Sequence, residues 1–400
     1  MIIKRLLSVS ILLAVNSTLY AQTGLDKTAQ QIAAEMIPGW NLGNTLEANR
    51  DFAITEGATY KPAVTIFSNY GGLESETAWQ KTKTTQEVID YVKSLGFRSV
   101  RIPCSWVWGH LSNPNDYTID ATWMQRVREI VDYCIHDSLY VILNDHYDGG
   151  WLERNIHVTG EAKTKNKEVL RAIWTQIANT FKDYDEHLIF AGLNEPNVED
   201  EATLAHLVSY EQIFIDAVRA TGGNNAKRHL IVQTYVCNPD FGLYNGDFIV
   251  PKDLEDNGND YMSVEFHYYT PWDYAGECKY YFWGAPYKQY GEASPSDEKT
   301  MRDFLDRVVV TWASQGLGLV MGEWGVTDHT KGGQSDLQHQ NMAYYCKFLT
   351  TEARRRGIAT FIWDNNQFGN GPEKFGLFDR EHGMKVRNPW VLTGIFGRKY

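Results

Sequence analysis

The sequence lacks the features that mark metal-binding and nucleic-acid-binding proteins. Its five cysteines are odd in number, scattered and never spaced as Cys-x-x-Cys, so they indicate neither a disulfide framework nor a zinc site. His329 and His339 have no partners at the spacing of metal ligands. Basic residues are in the minority, 38 against 50 acidic ones, and the net charge of −12 disfavours polyanionic partners. We therefore expect no metal site and no nucleic-acid partner.

Long hydrophobic runs are absent beyond the amino terminus, so no later segment is expected to span a membrane. The first residues show the order of a secretory signal peptide: Lys4 and Arg5, an apolar run over 6–15, and the small residue Ala21. No cysteine lies near this point, which argues against a lipoprotein anchor. We predict a signal peptide at residues 1–21 and a mature protein, residues 22–400, that is secreted or periplasmic.

The mature chain also lacks an interdomain linker, because proline, glycine and serine nowhere cluster. Short apolar runs alternate instead with longer stretches of helical periodicity. The eight predicted strands are Ile37–Asn44, Phe97–Pro103, Tyr140–His146, His187–Glu195, His229–Tyr235, Tyr261–Tyr269, Gly318–Gly325 and Ala359–Asp364. The predicted helices are Thr84–Leu95, Trp123–His136, Lys167–Tyr184, Ala202–Thr221, Glu298–Gln315, Leu337–Arg356 and Pro389–Phe396, and the fifth crossover, after Tyr235, is irregular.

Eight strand–helix units predict an α/β fold, a single-domain (β/α)8 TIM barrel. A doubly wound open sheet would also alternate strands and helices, but it usually carries a Gly-rich phosphate turn after its first strand. The segment Gly39–Asn44, Gly-Trp-Asn-Leu-Gly-Asn, does not match that turn. In a barrel, functional residues lie at the carboxyl ends of the strands, so candidates should be found there.

Two glutamates follow apolar runs at predicted strand ends. Glu195 lies in Leu-Asn-Glu-Pro at the end of the fourth strand, and Glu323 lies in Met-Gly-Glu-Trp-Gly at the end of the seventh. A lone glutamate in such a place is most often a salt-bridged rim residue. A pair across the barrel mouth matches glycosidic bond cleavage, which needs one carboxylic acid for the leaving oxygen and one carboxylate facing the anomeric carbon. The sequence therefore predicts Glu195 and Glu323 as the catalytic residues of a glycoside hydrolase.

These motifs resemble glycoside hydrolase family 5, whose barrels carry catalytic glutamates on strands four and seven. Matching segments run from Gly39–Asn44 to Phe361–Asp364 and cover nearly all of the mature chain. The resemblance implies that Glu195 is the acid/base and Glu323 the nucleophile of a retaining mechanism without a cofactor. A nearby guanidinium favours an ionised carboxylate. We therefore expect the pKa of Glu323 to be held low by Arg101, and that of Glu195 to be raised by its anionic neighbour.

The resemblance also implies the residues that surround the bound sugar. Asn194 would bond the sugar 2-hydroxyl, and Arg101, in Val-Arg-Ile-Pro, would lie beneath Glu323. His146 would line the subsite at the cleavage point. His267 would sit near the acid/base, and Tyr269 would hydrogen-bond the nucleophile. Each of these side chains could instead have a purely structural role, but their joint occurrence at strand ends favours the site.

Aromatic residues supply further candidates, since flat rings suit the C–H-rich faces of sugars. Trp363 matches the sugar platform of the family, and Asn44 and Trp151 are also predicted to bind substrate. The long segment 270–295 holds eight aromatic residues, which either pack the loop onto the barrel or form a sugar-stacking wall. One departure is Tyr147, which stands where family members often have a second histidine after the third strand.

The predicted activity is an endo-acting β-1,4-glucanase of the cellulase type, with a plant polysaccharide as partner and a monomer as the expected state. Mannan, xyloglucan and mixed-linkage glucan are alternative substrates within the same chemistry. An alternative of another class is a barrel that binds polysaccharide without cutting it. A third alternative, an enzyme of phosphorylated metabolites, would need a Gly-rich phosphate site, for which 369–371 is weak evidence.

Overall fold

The computed structural model describes residues 24–50, 71–198, 200–234, 250–331 and 333–400. The predicted signal peptide lies outside these ranges, as do Tyr235 at the predicted end of the fifth strand and Cys237. The four cysteines within them, Cys104, Cys134, Cys278 and Cys346, are free thiols. Three of the four are buried, as expected for small apolar side chains.

Eight parallel strands close into a barrel in which each strand pairs with its neighbours in the chain, and the last pairs with the first. The predicted (β/α)8 fold is thereby confirmed. The strands are shorter than the apolar runs that predicted them, because the polar residues at the run ends belong to the loops. Their bounds are β1 Gly39–Asn41, β2 Ser99–Ile102, β3 Tyr140–Asn144, β4 Leu188–Ala191, β5 Leu230–Gln233, β6 Met262–Tyr268, β7 Gly318–Trp324 and β8 Ile358–Ile362.

The helices agree closely with the predicted ones except at two places. The fourth begins at Gly160 rather than Lys167, because its first turns are polar and exposed and so carry no apolar periodicity. The first was not predicted. None of the helices in these ranges is both long and apolar enough to cross a membrane. The helices of seven or more residues are α1 Ala29–Glu35, α2 Gln86–Leu95, α3 Ala121–His136, α4 Gly160–Thr180, α5 Glu201–Ala220, α6 Glu298–Thr311, α7 Ser335–Arg355 and α8 Pro389–Phe396, and a single helical turn spans Trp272–Ala275.

Helix α1 closes the amino-terminal end of the barrel. A capping box formed by Thr28 and Gln31 begins the helix. Its residues Ile32 and Met36 pack with inward-facing strand residues such as Ile142 in a cluster separate from the outer core. The outer core lies between the strands and the other helices. The lower half of the barrel is therefore filled and apolar, which leaves the carboxyl ends of the strands for polar groups.

A β-bulge interrupts β7 just where the strand reaches that polar end. Phe266 of β6 pairs with Met321, but the next residue, His267, pairs with Glu323, so β7 has one extra residue, Gly322. The pairing of β8 with β7 shifts at the same place. Strict alternation would put Glu323 on the same outward face as Met321. The bulge reverses the order beyond Gly322, so Glu323 faces the interior and Trp324 joins the outer core.

Candidate active site

The predicted polar residues meet at the carboxyl end of the barrel. Arg101 lies near the end of β2, His267 in β6 and Glu323 in β7, while Glu195 follows β4 and Tyr269 follows β6. Hydrogen bonds and ion pairs connect these side chains directly. The structure thus brings together residues that are separated by as many as 222 positions in the chain.

Glu323 is held on both carboxylate oxygens. Nη1 of Arg101 donates to Oε1 at 2.9 Å, and the Tyr269 hydroxyl donates to Oε2 at 3.0 Å. Burial raises the pKa of Glu323 above its ordinary value, while His267, the guanidinium of Arg101 and the Tyr269 hydrogen bond oppose this shift. The expectation that Arg101 would hold this pKa low was therefore wrong. The reason is that removal of the carboxylate from water outweighs its contacts.

Glu195 is the more accessible of the two carboxylates. Its side chain is 40% exposed, against 8% for Glu323. Nδ1 of His267 lies 2.6 Å from Oε1 of Glu195 and 3.6 Å from Oε2 of Glu323, so both carboxylates face the same ring nitrogen. Carboxylate oxygens of the two glutamates lie within 4.8 Å of each other. Retaining glycosidases also hold their two catalytic carboxyl groups close together, roughly 5–5.5 Å apart.

Arg101 is fully buried and orients several groups at once. Nη2 donates to Oδ1 of Asn194 at 2.8 Å, and Nη1 donates to Oδ1 of Asn41 at 3.1 Å as well as to Glu323. Asn41 in turn donates from Nδ2 to the backbone oxygen of Gly322 at 2.9 Å. The guanidinium therefore ties the residue before Glu195 to the nucleophile candidate, which fixes the relative position of the two.

Two further carboxylates beside the site were not identified from the sequence. Glu265, two residues before His267, is fully buried and lies 2.9 Å from Nε of Arg101. Glu153 accepts a hydrogen bond from the backbone N–H of Glu195. A signal for Glu265 was available, because residues two apart in a strand share one face, and Glu265 therefore lies on the same face as His267.

Trp363 and His146 form one wall of the site. Their rings stack with centroids 5.7 Å apart and an interplanar angle of 6°. His146 is buried and Trp363 is half-buried, so part of the indole remains open. Gly43 approaches the indole closely enough that a Cβ would lie 2.9 Å from it. Asn44, the next residue, is half-buried in a left-handed conformation with φ 56°.

Trp151 is not at the mouth of the site, contrary to the prediction that it binds substrate. Its side chain is 1% exposed and packs in the outer core. The preceding residues 147–150 all have positive φ, a sharp reversal that the sequence pattern did not reveal. Tyr147 lies half-buried in that reversal, with the guanidinium of Arg154 5.2 Å from its ring. Trp40, Trp106 and Trp108 are also buried.

The eight aromatic residues of segment 270–295 differ in burial, and three of them, Tyr280, Tyr281 and Tyr287, are half-buried. Tyr274, Phe282 and Trp283 are buried and pack the loop onto the barrel. Trp272 and Tyr290 are 44% and 46% exposed. The ring of Trp272 lies 6.1 Å from that of Tyr269, edge to face, which links it to the site. Of the two predicted roles, packing therefore applies to the buried residues, and Trp272 is the exposed residue that contacts the site.

Side chains that could hold a metal occur in two groups within the described ranges, 185–187 on a loop and Glu195 with His267 and Glu323. In the second group, Arg101 and Tyr269 already donate to both oxygens of Glu323. A metal cation bound there would also be repelled by the nearby positive charge of the Arg101 guanidinium. The arrangement suits hydrogen bonding and proton transfer better than metal ligation.

Comparison with known proteins agrees with this geometry. The sequence model of cellulase (glycosyl hydrolase family 5) matches residues 59–369. The chain belongs to glycosyl hydrolase family 5. The predicted family and enzyme class, a hydrolase of O-glycosyl bonds, are thereby confirmed.

Individual relatives align with this chain over most of both lengths, which supports the family assignment. Endoglucanase A of Paenibacillus barcinonensis is 33% identical over 88% of this chain and 86% of its own. XEG5B, a xyloglucan-specific β-1,4-glucanase from a ruminal metagenomic library, superposes with a TM-score of 0.80 at 36% identity over 92% of this chain and 95% of its own. The family 5 xyloglucanase of Paenibacillus pabuli gives a TM-score of 0.78 at 33% identity, with 92% and 99% covered.

Proposed function

We propose that this family 5 protein is a secreted, retaining endo-β-1,4-glucanase with Glu323 as nucleophile and Glu195 as acid/base. The observation that carries the proposal is the pair of carboxylates facing one nitrogen of His267 with oxygens within 4.8 Å of each other. So close an approach supports a retaining mechanism, in which the second carboxylate itself attacks the anomeric carbon.

The surroundings of each glutamate support its proposed role. Glu323 is buried and oriented through both oxygens by Arg101 and Tyr269, as a nucleophile that must approach one carbon atom requires. Glu195 is partly exposed, so it can reach both the leaving oxygen and the water of the second step. Asn194, held by Arg101, would bond the 2-hydroxyl beside the cleaved bond. Trp363 would support the sugar that is attacked.

The favoured substrate is a β-1,4-glucan, and xyloglucan is the leading candidate among the alternatives to unsubstituted glucan. XEG5B and the Paenibacillus pabuli enzyme, with TM-scores of 0.80 and 0.78, act on xyloglucan, whereas the Paenibacillus barcinonensis relative is an endoglucanase. Exposed Trp272 offers an apolar face beside Tyr269, where a branched chain would find more contacts than a linear one.

Product analysis tests the catalytic proposal. Wild type, Glu195→Gln and Glu323→Gln would be incubated with barley β-glucan, carboxymethyl-cellulose, tamarind xyloglucan and glucomannan. We expect short oligosaccharides from wild type and losses of several orders of magnitude in both variants. Glu76→Gln is the control, since Glu76 is a buried glutamate like Glu323 and pairs with an arginine, Arg126, but that arginine lies on α3. Wild-type binding without cleavage would favour the polysaccharide-binding barrel and refute the proposal.

Stereochemistry, export and assembly need separate measurements. Proton NMR of the first product should show the β anomer if the mechanism is retaining, and the α anomer would refute it. Amino-terminal sequencing of the protein exported from its cell should begin at Gln22 if residues 1–21 are a signal peptide. Light scattering should give the mass of a monomer.

A further inference from the structure

A third carboxylate, that of Glu265, lies beneath the proposed catalytic pair. Its Oε1 atom is 2.9 Å from Nε of Arg101 and 3.3 Å from Nε2 of His267. Its Oε2 atom accepts a hydrogen bond of 2.9 Å from Nε2 of Gln233. Burial by itself would raise the pKa of Glu265, but Arg101, His267 and Gln233 outweigh it and lower the pKa below its ordinary value. The residue therefore carries a negative charge at neutral pH.

Glu265 occupies an inward-facing position of the barrel, where an apolar side chain is usual. Inward-facing strand residues of such barrels are mostly branched and apolar, and an unpaired buried carboxylate is strongly unfavourable. The Glu265 side chain fits because residue 322 of β7 is glycine: a Cβ at Gly322 would lie 1.8 Å from Oε1 of Glu265. The same glycine is the extra residue of the β-bulge that turns Glu323 inward. One glycine thus accommodates both carboxylates.

The position of Glu265 determines what His267 can do. An ionised carboxylate only accepts hydrogen bonds, so Nε2 of His267 must carry a proton to bond Glu265. A neutral imidazole has a single N–H, which leaves Nδ1 as an acceptor facing Glu195 at 2.6 Å. Glu195 in its protonated, acid form can then donate to Nδ1. A buried carboxylate that selects the tautomer and orientation of a catalytic imidazole is known to act through that group rather than on the substrate.

We propose that Glu265 is a positioning residue that keeps Nε2–H of His267 directed toward itself, so that Nδ1 always faces Glu195, and that it anchors Arg101 against Glu323. Glu265 touches none of the atoms that react. It acts on the acid/base through the imidazole and on the nucleophile through the guanidinium. The inference rests on the proposed roles of Glu195 and Glu323.

Glu265→Gln tests the inference, because the amide keeps the shape but removes the charge and one acceptor. We expect kcat/KM on β-glucan, whose leaving group needs protonation, to fall about 10²-fold, with KM nearly unchanged. On 2,4-dinitrophenyl β-cellobioside, whose leaving group needs no acid, the fall should be about tenfold. Glu76→Gln controls for loss of a buried ion pair and should match wild type on both substrates. A merely structural role would lower both rates by the same factor.

Equal losses on the two substrates, or rates within twofold of wild type, would overturn the inference. If Glu323→Gln retained activity, the proposed function itself would fail instead, so the two failures are distinguishable. Wild-type protein provides a readout that does not depend on the variant folding. Imidazole ¹⁵N shifts of His267, assigned with His267→Gln, should show a protonated Nε2 across the pH range of stability. A neutral ring protonated on Nδ1 would refute the proposal.

Discussion

The carboxylate of Glu153 holds the backbone of Glu195: its Oε2 atom accepts a hydrogen bond of 3.1 Å from the Glu195 N–H. The same oxygen lies 3.4 Å from Nδ2 of Asn194. Burial, together with the nearby charge of Glu195, raises the pKa of Glu153 to about 8. Glu153 therefore keeps its proton at neutral pH while it supports the turn that carries the proposed acid/base.

The raised pKa of Glu153 predicts a pH-dependent cost in stability. An unfolded glutamate ionises near pH 4.5, whereas the folded one keeps its proton to about pH 8, so stability is lost as pH rises through this window. Glu153→Gln stays neutral and can still accept the Glu195 N–H. We expect its Tm to fall less than that of wild type between pH 5 and pH 8 in differential scanning calorimetry. The exposed Glu161→Gln is the control, and an unchanged pH slope in Glu153→Gln would contradict the prediction.

Tyr269→Phe should move the acidic limb of the pH–rate profile. The Tyr269 hydroxyl donates to Oε2 of Glu323 and lowers the pKa of that carboxyl, so its removal should raise the pKa further. Because the proposed nucleophile must be ionised, the acidic limb of kcat/KM should shift to higher pH, and the plateau rate should also fall. The measurement is kcat/KM on β-glucan from pH 4 to pH 9.

Tyr344→Phe serves as the control for that experiment, since its hydroxyl bonds Glu298 on the outside of the barrel. It should leave both limbs in place. An acidic limb that stays fixed, or moves to lower pH, in Tyr269→Phe would show that Glu323 is not the group whose ionisation limits the rate at low pH.

Much of this architecture could be predicted from sequence, because its signals are local. Eight apolar runs with helical stretches between them specify the barrel, and a polar residue at the end of such a run lies at the active-site face by topology alone. This is why Glu195 and Arg101 could be placed correctly without any coordinates. The family motifs then supplied roles that periodicity could not.

The features that the sequence did not predict depend on backbone geometry and burial, which arise only in the folded chain. The β-bulge at Gly322 reverses the side-chain order of β7, so strand alternation alone would have directed Glu323 outward. Trp151 is buried because residues 147–150 reverse the chain in left-handed conformations that non-glycine residues rarely adopt. The pKa of Glu323 depends on how completely water is excluded, which no motif encodes.

Trp272 and Trp283 lie eleven residues apart in one loop but should respond differently to alanine. Trp272 is 44% exposed beside Tyr269, so Trp272→Ala should leave Tm nearly unchanged and raise KM for xyloglucan several-fold. Trp283 is fully buried among Tyr345 and other rings, so Trp283→Ala should lower stability by about 3–5 kcal/mol. Calorimetry and steady-state kinetics check both. A large Tm loss in Trp272→Ala would mean that its role is packing.

Trp363 should contribute to substrate binding through the exposed face of its indole ring. The indole is stacked on His146 on one side and half-buried, so the other face can support the sugar at the cleavage point. Trp363→Ala should lower kcat/KM on β-glucan by at least about tenfold, or about 1.4 kcal/mol of transition-state binding.

Trp390→Ala is a matched control, because Trp390 is also half-buried and stacks on a histidine, His339, but lies on α8. Since the two variants lose similar surface and a similar ring contact, folding effects should be alike, and a difference in kcat/KM isolates the contact with substrate. Equal kcat/KM values in the two variants would show that Trp363 serves the fold rather than the sugar.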